Sequence, residues 1–236
     1  MNAVDPLLPR IDAAALDARL RAAAPTAIIA AALDAFPGRV AAVSSFGTES
    51  AVLLHLISLV DPATPVLFLD TGHLFPETLA YRDALAARLG LTGIVTFAPD
   101  ARDLATRDPE SALWAENPDA CCALRKVEPL ARALAPYGAW INGRKRYQAA
   151  TRAEIPVVEA DGARVKFNPL AAMARADLEG YMAAHDLPKH PLEAFGFASV
   201  GCMPCTTRVM PGEDPRAGRW RGRAKTECGI HMGEGI

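Results

Sequence analysis

Five cysteines carry most of the chemistry legible in this chain of 236 residues. Cys121 and Cys122 are adjacent, and Cys202 and Cys205 follow far downstream in "GCMPC". Four thiolates in two close pairs suit a tetrahedral zinc or an iron–sulfur cluster. Pairs that share one zinc are usually set about two to four residues apart, because the backbone must turn to aim both sulfurs at one ion. Neighbouring cysteines suit a [4Fe–4S] cluster better, since each can bind a different iron. The alternative, that Cys121 and Cys122 are core residues of a helix, leaves two pairs in one chain unexplained. Cys228 stands apart, in the closing stretch "TECGIHMGEGI". A glycine-punctuated terminal segment is expected to be mobile and gives a thiol little to pack against, so reactivity is the better reason for a cysteine there.

Other stretches suit anions. "SSFGTES", running from Ser44 to Ser50, joins a strand to a helix, and its Ser44, Ser45, Phe46, Gly47 and Thr48 form an anion-binding turn at a strand's carboxyl end. It lacks the Gly-Lys-Ser/Thr ending of a Walker A loop. "LDTGHLFPET" ends the next strand in the same way and brings Asp70, Thr71 and Gly72 beside it; His73 reads as polar surface. Lys126 follows Cys122 by about one helical turn, near enough to approach an anionic cluster or substrate. The loop "GRKRYQAATR" offers Arg144, Lys145 and Arg146. From Thr206 to Thr226 a basic run carries Arg208, Arg216, Arg219, Arg221, Arg223 and Lys225 against Glu213 and Asp214. A solvated tail is the plain reading of that run, and a basic flap closing over an anion the sharper one.

The elements that must position these residues alternate. Helical patterns cover Asp12 to Ala24 and Thr26 to Phe36. "RVAAVSSF", "TPVLFLD", "GIVTFAP" and "AWINGRK" read as strands. Between them lie the helix "TESAVLLHLISLV" with Thr48 as cap, the helix "PETLAYRDALAARLG" with Pro76 at its start and Gly90 at its end, and the largely helical "DACCALRKVEPLARALAPYG". "PVVEADGARVKFNPL" reads as a hairpin turning at Asp161-Gly162, and "RADLEGYMAAHDL" as a last helix. The fold class is α/β, a parallel sheet with helices on both faces. Residues 1–205 are expected to form the α/β domain that carries the anion-binding turns and both cysteine pairs, and 206–236 a basic, loop-rich tail carrying Cys228.

Composition narrows the setting. Lys and Arg number 25 against 27 Asp and Glu, so nothing favours a nucleic-acid partner overall. No apolar run approaches the roughly 20 residues that span a bilayer, and acids and prolines near the start do not make a signal peptide. The expectation is a soluble, cytoplasmic protein with reduced thiols and no membrane partner. A homo-oligomer is allowed but not demanded.

Together "SSFGTESAVLLHL", "LDTGHLFPETL", "CCALRKVEPL", "GCMPCTTRV", "PGEDPRAGRW" and "KTECGIH" resemble the assimilatory adenylyl-sulfate reductases, the iron–sulfur branch of the family that also holds the phosphoadenylyl-sulfate reductases. The matches run in order from Val43 to His231. The tryptophan run that often follows Arg219 is reduced here to Trp220. The resemblance implies an adenine-nucleotide α-hydrolase-type fold and thioredoxin-dependent reduction of adenylyl sulfate to sulfite and AMP. It implies one [4Fe–4S] cluster per chain on Cys121, Cys122, Cys202 and Cys205. The alternatives are the same chemistry on the 3′-phosphorylated nucleotide, or a metal-binding nucleotide sensor without turnover. Cys228 is then the nucleophile, attacking sulfur to leave an S-sulfocysteine, with Lys225, Arg216 and Arg219 favouring its thiolate and His231 orienting it. The substrate contacts implied are Ser44, Ser45, Phe46, Gly47, Thr48, Asp70, Thr71, Gly72, Lys126, Arg144, Arg146, Arg216, Arg219 and His231.

Overall fold

The structure, a computed structural model, describes residues 11–231. The proline-bearing start and the last glycines of the tail lie outside the described residues. Asp12 opens α1 (Ala13–Leu20) by accepting from the N–H groups of Ala14 and Ala15, and Pro25 takes the first position of α2 (Pro25–Ala35). Strands and helices then alternate: β1 (Val40–Val43), α3 (Ser50–Val60), β2 (Val66–Leu69), α4 (Pro76–Leu89) and β3 (Ile94–Phe97). Next come α5 (Ala101–Arg107), α6 (Leu113–Glu116), α7 (Pro118–Cys122), α8 (Glu128–Leu134) and β4 (Ala139–Ile141). The hairpin β5 (Val158–Asp161) and β6 (Arg164–Phe167) precedes α9 (Arg175–Ala184).

The six strands form one sheet in the order β3-β2-β1-β4-β6-β5, parallel throughout except for the edge strand β5. Both faces of the centre are covered. Val40 and Ala42 of β1 pack into the larger core with Ile29 and Leu54, while Ala41 and Val43 face a second cluster of Leu130, Leu134 and Trp140. Burial on two sides is why β1 reads as an unbroken apolar run. Pro76 and Gly90 bound α4 as expected, Gly90 taking the left-handed conformation at φ 64°. The hairpin turns with Gly162 at φ 61°.

Two local expectations are corrected. Thr48 does not cap α3; its hydroxyl donates to the Ala198 carbonyl at 3.1 Å, tying the loop to the segment before the second cysteine pair. The helix expected over 119–138 is interrupted, α7 ending at Cys122 and a π turn (Ala123–Val127) intervening before α8. Pro129 has no N–H to give the carbonyl of Arg125, so a regular ladder cannot pass through and the chain widens.

Candidate functional site

The chain leaves β1 for α3 and β2 for α4, whereas β4 and β6 lie on the other side of β1, so the topological switch falls between β1 and β4. A ligand crevice is expected outside the carboxyl ends of the strands there. A cavity of about 1560 Å³, mouth included, opens at that place and is lined by Ser44, Ser45, Gly47 and Thr48 after β1, Thr71 after β2, and Asn142, Gly143 and Arg144 after β4. Lys126, Arg216, Arg219, Cys228 and His231 complete its wall.

Some expected contacts fall elsewhere. Phe46 is fully buried, at φ 49°, with its ring edge-on to Phe68 at 5.4 Å, so it is a core anchor for the loop. Asp70 accepts the N–H of Gly72 at 2.9 Å and shapes its own turn; neither residue lines the cavity. Gly72 is needed for its φ of 72° and because a Cβ would lie 3.3 Å from the Arg125 guanidinium. Arg146 turns away, donating through Nε to the Ile155 carbonyl at 3.0 Å, and Lys145 lines the cavity instead.

Residues far apart in the chain supply the rest. Glu49 accepts from Lys145 Nζ at 2.8 Å, Tyr147 at 2.8 Å and Gln148 at 2.7 Å. Burial pushes the Glu49 carboxyl up, but Lys145 and these donors outweigh it and hold the group below the ordinary carboxylate range. Arg144 is buried against Glu159 and Asn168, and burial followed by the nearby Arg152 charge lowers its pKa to about 10. Arg152 enters the cavity wall from the loop after β4.

The segment after Cys205 folds back onto the body. Thr206 bridges to Arg219, Thr207 N–H donates to the Gly218 carbonyl at 2.8 Å, and Trp220 N–H to the Cys205 carbonyl at 3.1 Å. The Arg219 guanidinium packs so tightly over Gly201 that a Cβ there would meet it at 2.2 Å. Of the run's basic side chains, Arg216 and Arg219 alone line the cavity. Arg221 pairs with Glu213, Arg223 donates to the Ala115 carbonyl, and Lys225, expected beside the tail thiol, pairs with Asp119. The described part of the tail, as far as His231, lies against the body. Cys228 is half-buried in the wall, Ile230 packs on the second core cluster, and the His231 ring stacks on Trp140 at 5.5 Å and 4°. Burial first, and then the charges of Arg144, Arg152, Lys166 and Arg216, drive the His231 pKa well down.

A second, smaller cavity adjoins the first and is lined by Cys121, Cys122, Cys202 and Cys205 together with His73, Arg125, Lys126 and Trp220. None of the four is in a disulfide. Burial, then the adjacent Cys122, raises the Cys121 pKa to about 11. Burial also opposes ionisation of Cys202, yet Lys126, the Thr71 hydroxyl at 3.2 Å and Arg219 outweigh it and lower that pKa. His73, expected as polar surface, turns its Nε2 into the interior without a partner, as Trp220 does its Nε1. Lys126 and Trp220 are shared by both cavities. Among the described residues no three His, Cys, Asp or Glu side chains converge on a single metal-ion position.

Fold and crevice together define an α/β nucleotide-binding protein with a PP-loop-like arrangement. The chain belongs to the phosphoadenosine phosphosulfate reductase family, whose domain matches residues 39–208. It is 53% identical over 229 residues to the adenosine 5′-phosphosulfate reductase of Chelativorans sp. (strain BNC1), with 96% of this chain and 94% of that one covered. It is 47% identical over 217 residues to the phosphoadenosine 5′-phosphosulfate reductase of Gloeobacter violaceus, with 88% of each covered. The crystal structure of phosphoadenylyl-sulfate reductase from Candida auris, a phosphate complex, superposes with a TM-score of 0.70 at 28% identity, covering 84% of this chain and 96% of that one. Within the described residues no helix is long and apolar enough to cross a membrane.

Proposed function

We propose that this chain reduces adenylyl sulfate to sulfite and AMP in assimilatory sulfate reduction, in the cytoplasm, with Cys228 as nucleophile and a reduced thioredoxin as electron donor. The observation that carries the reading is the placement of Cys228 in the wall of the strand-end cavity, among Lys126, Arg216 and Arg219. A sensor without turnover has no use for a thiol there.

The loop from Ser44 to Thr48 and the groups after β4 hold the nucleotide, and the basic side chains hold its sulfate. The Cys228 thiolate attacks the sulfur in line. A bond forms between Sγ and sulfur as the bond from sulfur to the phosphate oxygen breaks, and AMP leaves with that electron pair. Lys126, Arg216 and Arg219 counter the charge that gathers on the sulfonyl oxygens and the leaving phosphate. His231, stacked on Trp140, orients the tail. Docking of the tail excludes water during attack, and its release exposes the adduct. A thioredoxin thiolate then attacks Sγ of Cys228, expelling sulfite and forming a mixed disulfide. The second thioredoxin thiol resolves it, so the donor leaves as its disulfide and Cys228 as a thiol.

Cys121, Cys122, Cys202 and Cys205 would hold a [4Fe–4S] cluster. The fit is chemical: four cysteines outside any disulfide surround one cavity, and the unpartnered His73 and Trp220 nitrogens border it, where sulfur could accept their hydrogen bonds. Such a cluster would supply local charge beside Lys126, whose side chain borders both cavities. Anaerobically prepared protein is expected to contain about four iron and four acid-labile sulfide per chain. Stoichiometric zinc without labile sulfide would refute the assignment.

Adenylyl sulfate is favoured over its 3′-phosphorylated form because both cysteine pairs are present, the mark of the iron–sulfur branch this sequence resembles. The Gloeobacter relative is named for the phosphorylated substrate, so that reading stands second. Sulfite release from each nucleotide, measured side by side with and without reduced thioredoxin, decides between them; no sulfite from either would end the proposal.

Arg216→Ala and Arg219→Ala are expected to lower turnover at low substrate by about tenfold to a hundredfold, the worth of one charge-assisted hydrogen bond. Iron content should be unchanged in Arg216→Ala, whose side chain touches Thr226 and Glu227 rather than the cysteine loop. Wild-type rates in both variants would show that the flap only tethers the tail.

A further inference from the structure

Glu227 immediately precedes the reacting thiol, and its carboxylate is held by two cations from separate parts of the chain. Its side chain is 8% exposed. Arg152 Nε and Nη2 donate to its two oxygens, each at 2.7 Å, a bidentate pair. Arg216 Nη2 donates to Oε2 at 3.3 Å and to the Thr226 carbonyl at 2.7 Å. Arg152 comes from the loop between β4 and β5, and is itself braced on Gln148 at 2.6 Å; Arg216 comes from the returning flap. Both arginines and Glu227 line the nucleotide cavity. Immediately after Cys228 the chain turns at Gly229, with φ 92°, before Ile230 and His231 reach the second core cluster.

We propose that Glu227 is a positioning residue for Cys228 and, at the same time, the internal counter-anion of the nucleotide pocket. The inference rests on the reading of Cys228 as nucleophile. Two guanidiniums side by side in a half-buried wall repel each other and attract any small anion, including the phosphate of AMP. A carboxylate carried by the tail satisfies them only when the tail is docked. Charge balance in the pocket and placement of the thiol therefore become one event. Removing the charge of Glu227 should pull two observables apart: the tail loosens and attack slows, while the freed arginines hold anions more tightly. A residue that only supported the fold would weaken both.

The test uses full-length, iron-replete protein with Glu227→Gln, Glu227→Asp and Arg152→Gln. Three quantities are measured: iodoacetamide alkylation of Cys228 in ligand-free protein, the dissociation constant for AMP, and the single-turnover rate of S-sulfonation by adenylyl sulfate. In Glu227→Gln, alkylation is expected to rise and S-sulfonation to fall, each by at least about tenfold, for loss of a buried charge-assisted pair. AMP should bind more tightly than to wild type. Glu227→Asp should restore part of the S-sulfonation rate. Arg152→Gln should loosen the tail equally but weaken AMP binding, and it carries the alkylation test if Glu227→Gln does not fold. Unchanged alkylation in whichever of these variants folds, or weaker AMP binding in Glu227→Gln, overturns the inference. Sulfite production by Cys228→Ser would instead overturn the nucleophile, whatever Glu227 does.

Discussion

Cys228→Ser is expected to bind AMP and adenylyl sulfate with near wild-type affinity, to keep its iron, and to release no sulfite. The division of labour in the structure is the reason. The nucleotide cavity is built at the ends of β1, β2 and β4, whereas the thiol arrives on a separate segment stapled through Glu227 and His231. Exchanging sulfur for oxygen leaves size and packing nearly unchanged but removes an effective nucleophile at neutral pH. In wild type, adenylyl sulfate without a reductant should leave a tail peptide heavier by one SO3 group, roughly 80 Da on this thiol chemistry, and reduced thioredoxin should erase that mass. An adduct on Cys121, Cys122, Cys202 or Cys205, or full turnover in the serine variant, would return Cys228 to a bystander.

What the sequence disclosed was local, and what it concealed was long-range. Strands buried on both faces announce themselves as apolar runs, and Pro76 and Gly90 bound their helix by rules that involve only a few neighbouring residues. The cysteine pairs and the tail thiol were visible by residue type alone. Among the three basic residues of the loop after β4, residue type alone does not say which face the cavity, and the resemblance pointed to Arg144 and Arg146 where the structure brings in Arg144 and Lys145. A short 3₁₀ turn begins at Arg146, whose side chain goes to the Ile155 carbonyl. Glu49 and Arg152 were overlooked for a different reason: each gains its role from partners in distant segments, Lys145 and Glu227, and no spacing within either segment signals such a meeting. His73 was misread because its neighbour in space, the second cysteine loop, is joined to it by the Met203 N–H donating to the His73 carbonyl at 2.7 Å.

Arg125→Met should produce the largest loss of stability of any single side-chain change outside the reacting groups. The Arg125 side chain is 5% exposed and that of Asp108 2%, with Nη2 to Oδ2 at 2.6 Å. The remaining guanidinium donors go to the Thr71 carbonyl at 2.8 Å and Ser111 at 3.2 Å, so one residue of the π turn ties the loop after β2 to the loop after α5. Removing one partner of such a pair leaves a buried, unpaired charge and costs about 3–5 kcal/mol. Converting both to apolar residues of similar size, Arg125→Met with Asp108→Leu, should recover much of that loss, because the desolvation penalty goes with the charges. The pH dependence has a definite sign. Burial pushes the Asp108 carboxyl up, but the Leu113 N–H and then Arg125 outweigh it and hold its pKa below the ordinary value. A depressed folded pKa contributes stability above the unfolded value of about 3.9 and loses it as pH falls through the folded one. The difference in unfolding midpoint between wild type and Arg125→Met should therefore be large at neutral pH and shrink on acidification. A gap that stays constant as the pH falls from neutrality to well below about 3.9, the unfolded carboxyl value, would mean that Arg125 acts by packing, and that the carboxylate beneath it was never the group being held.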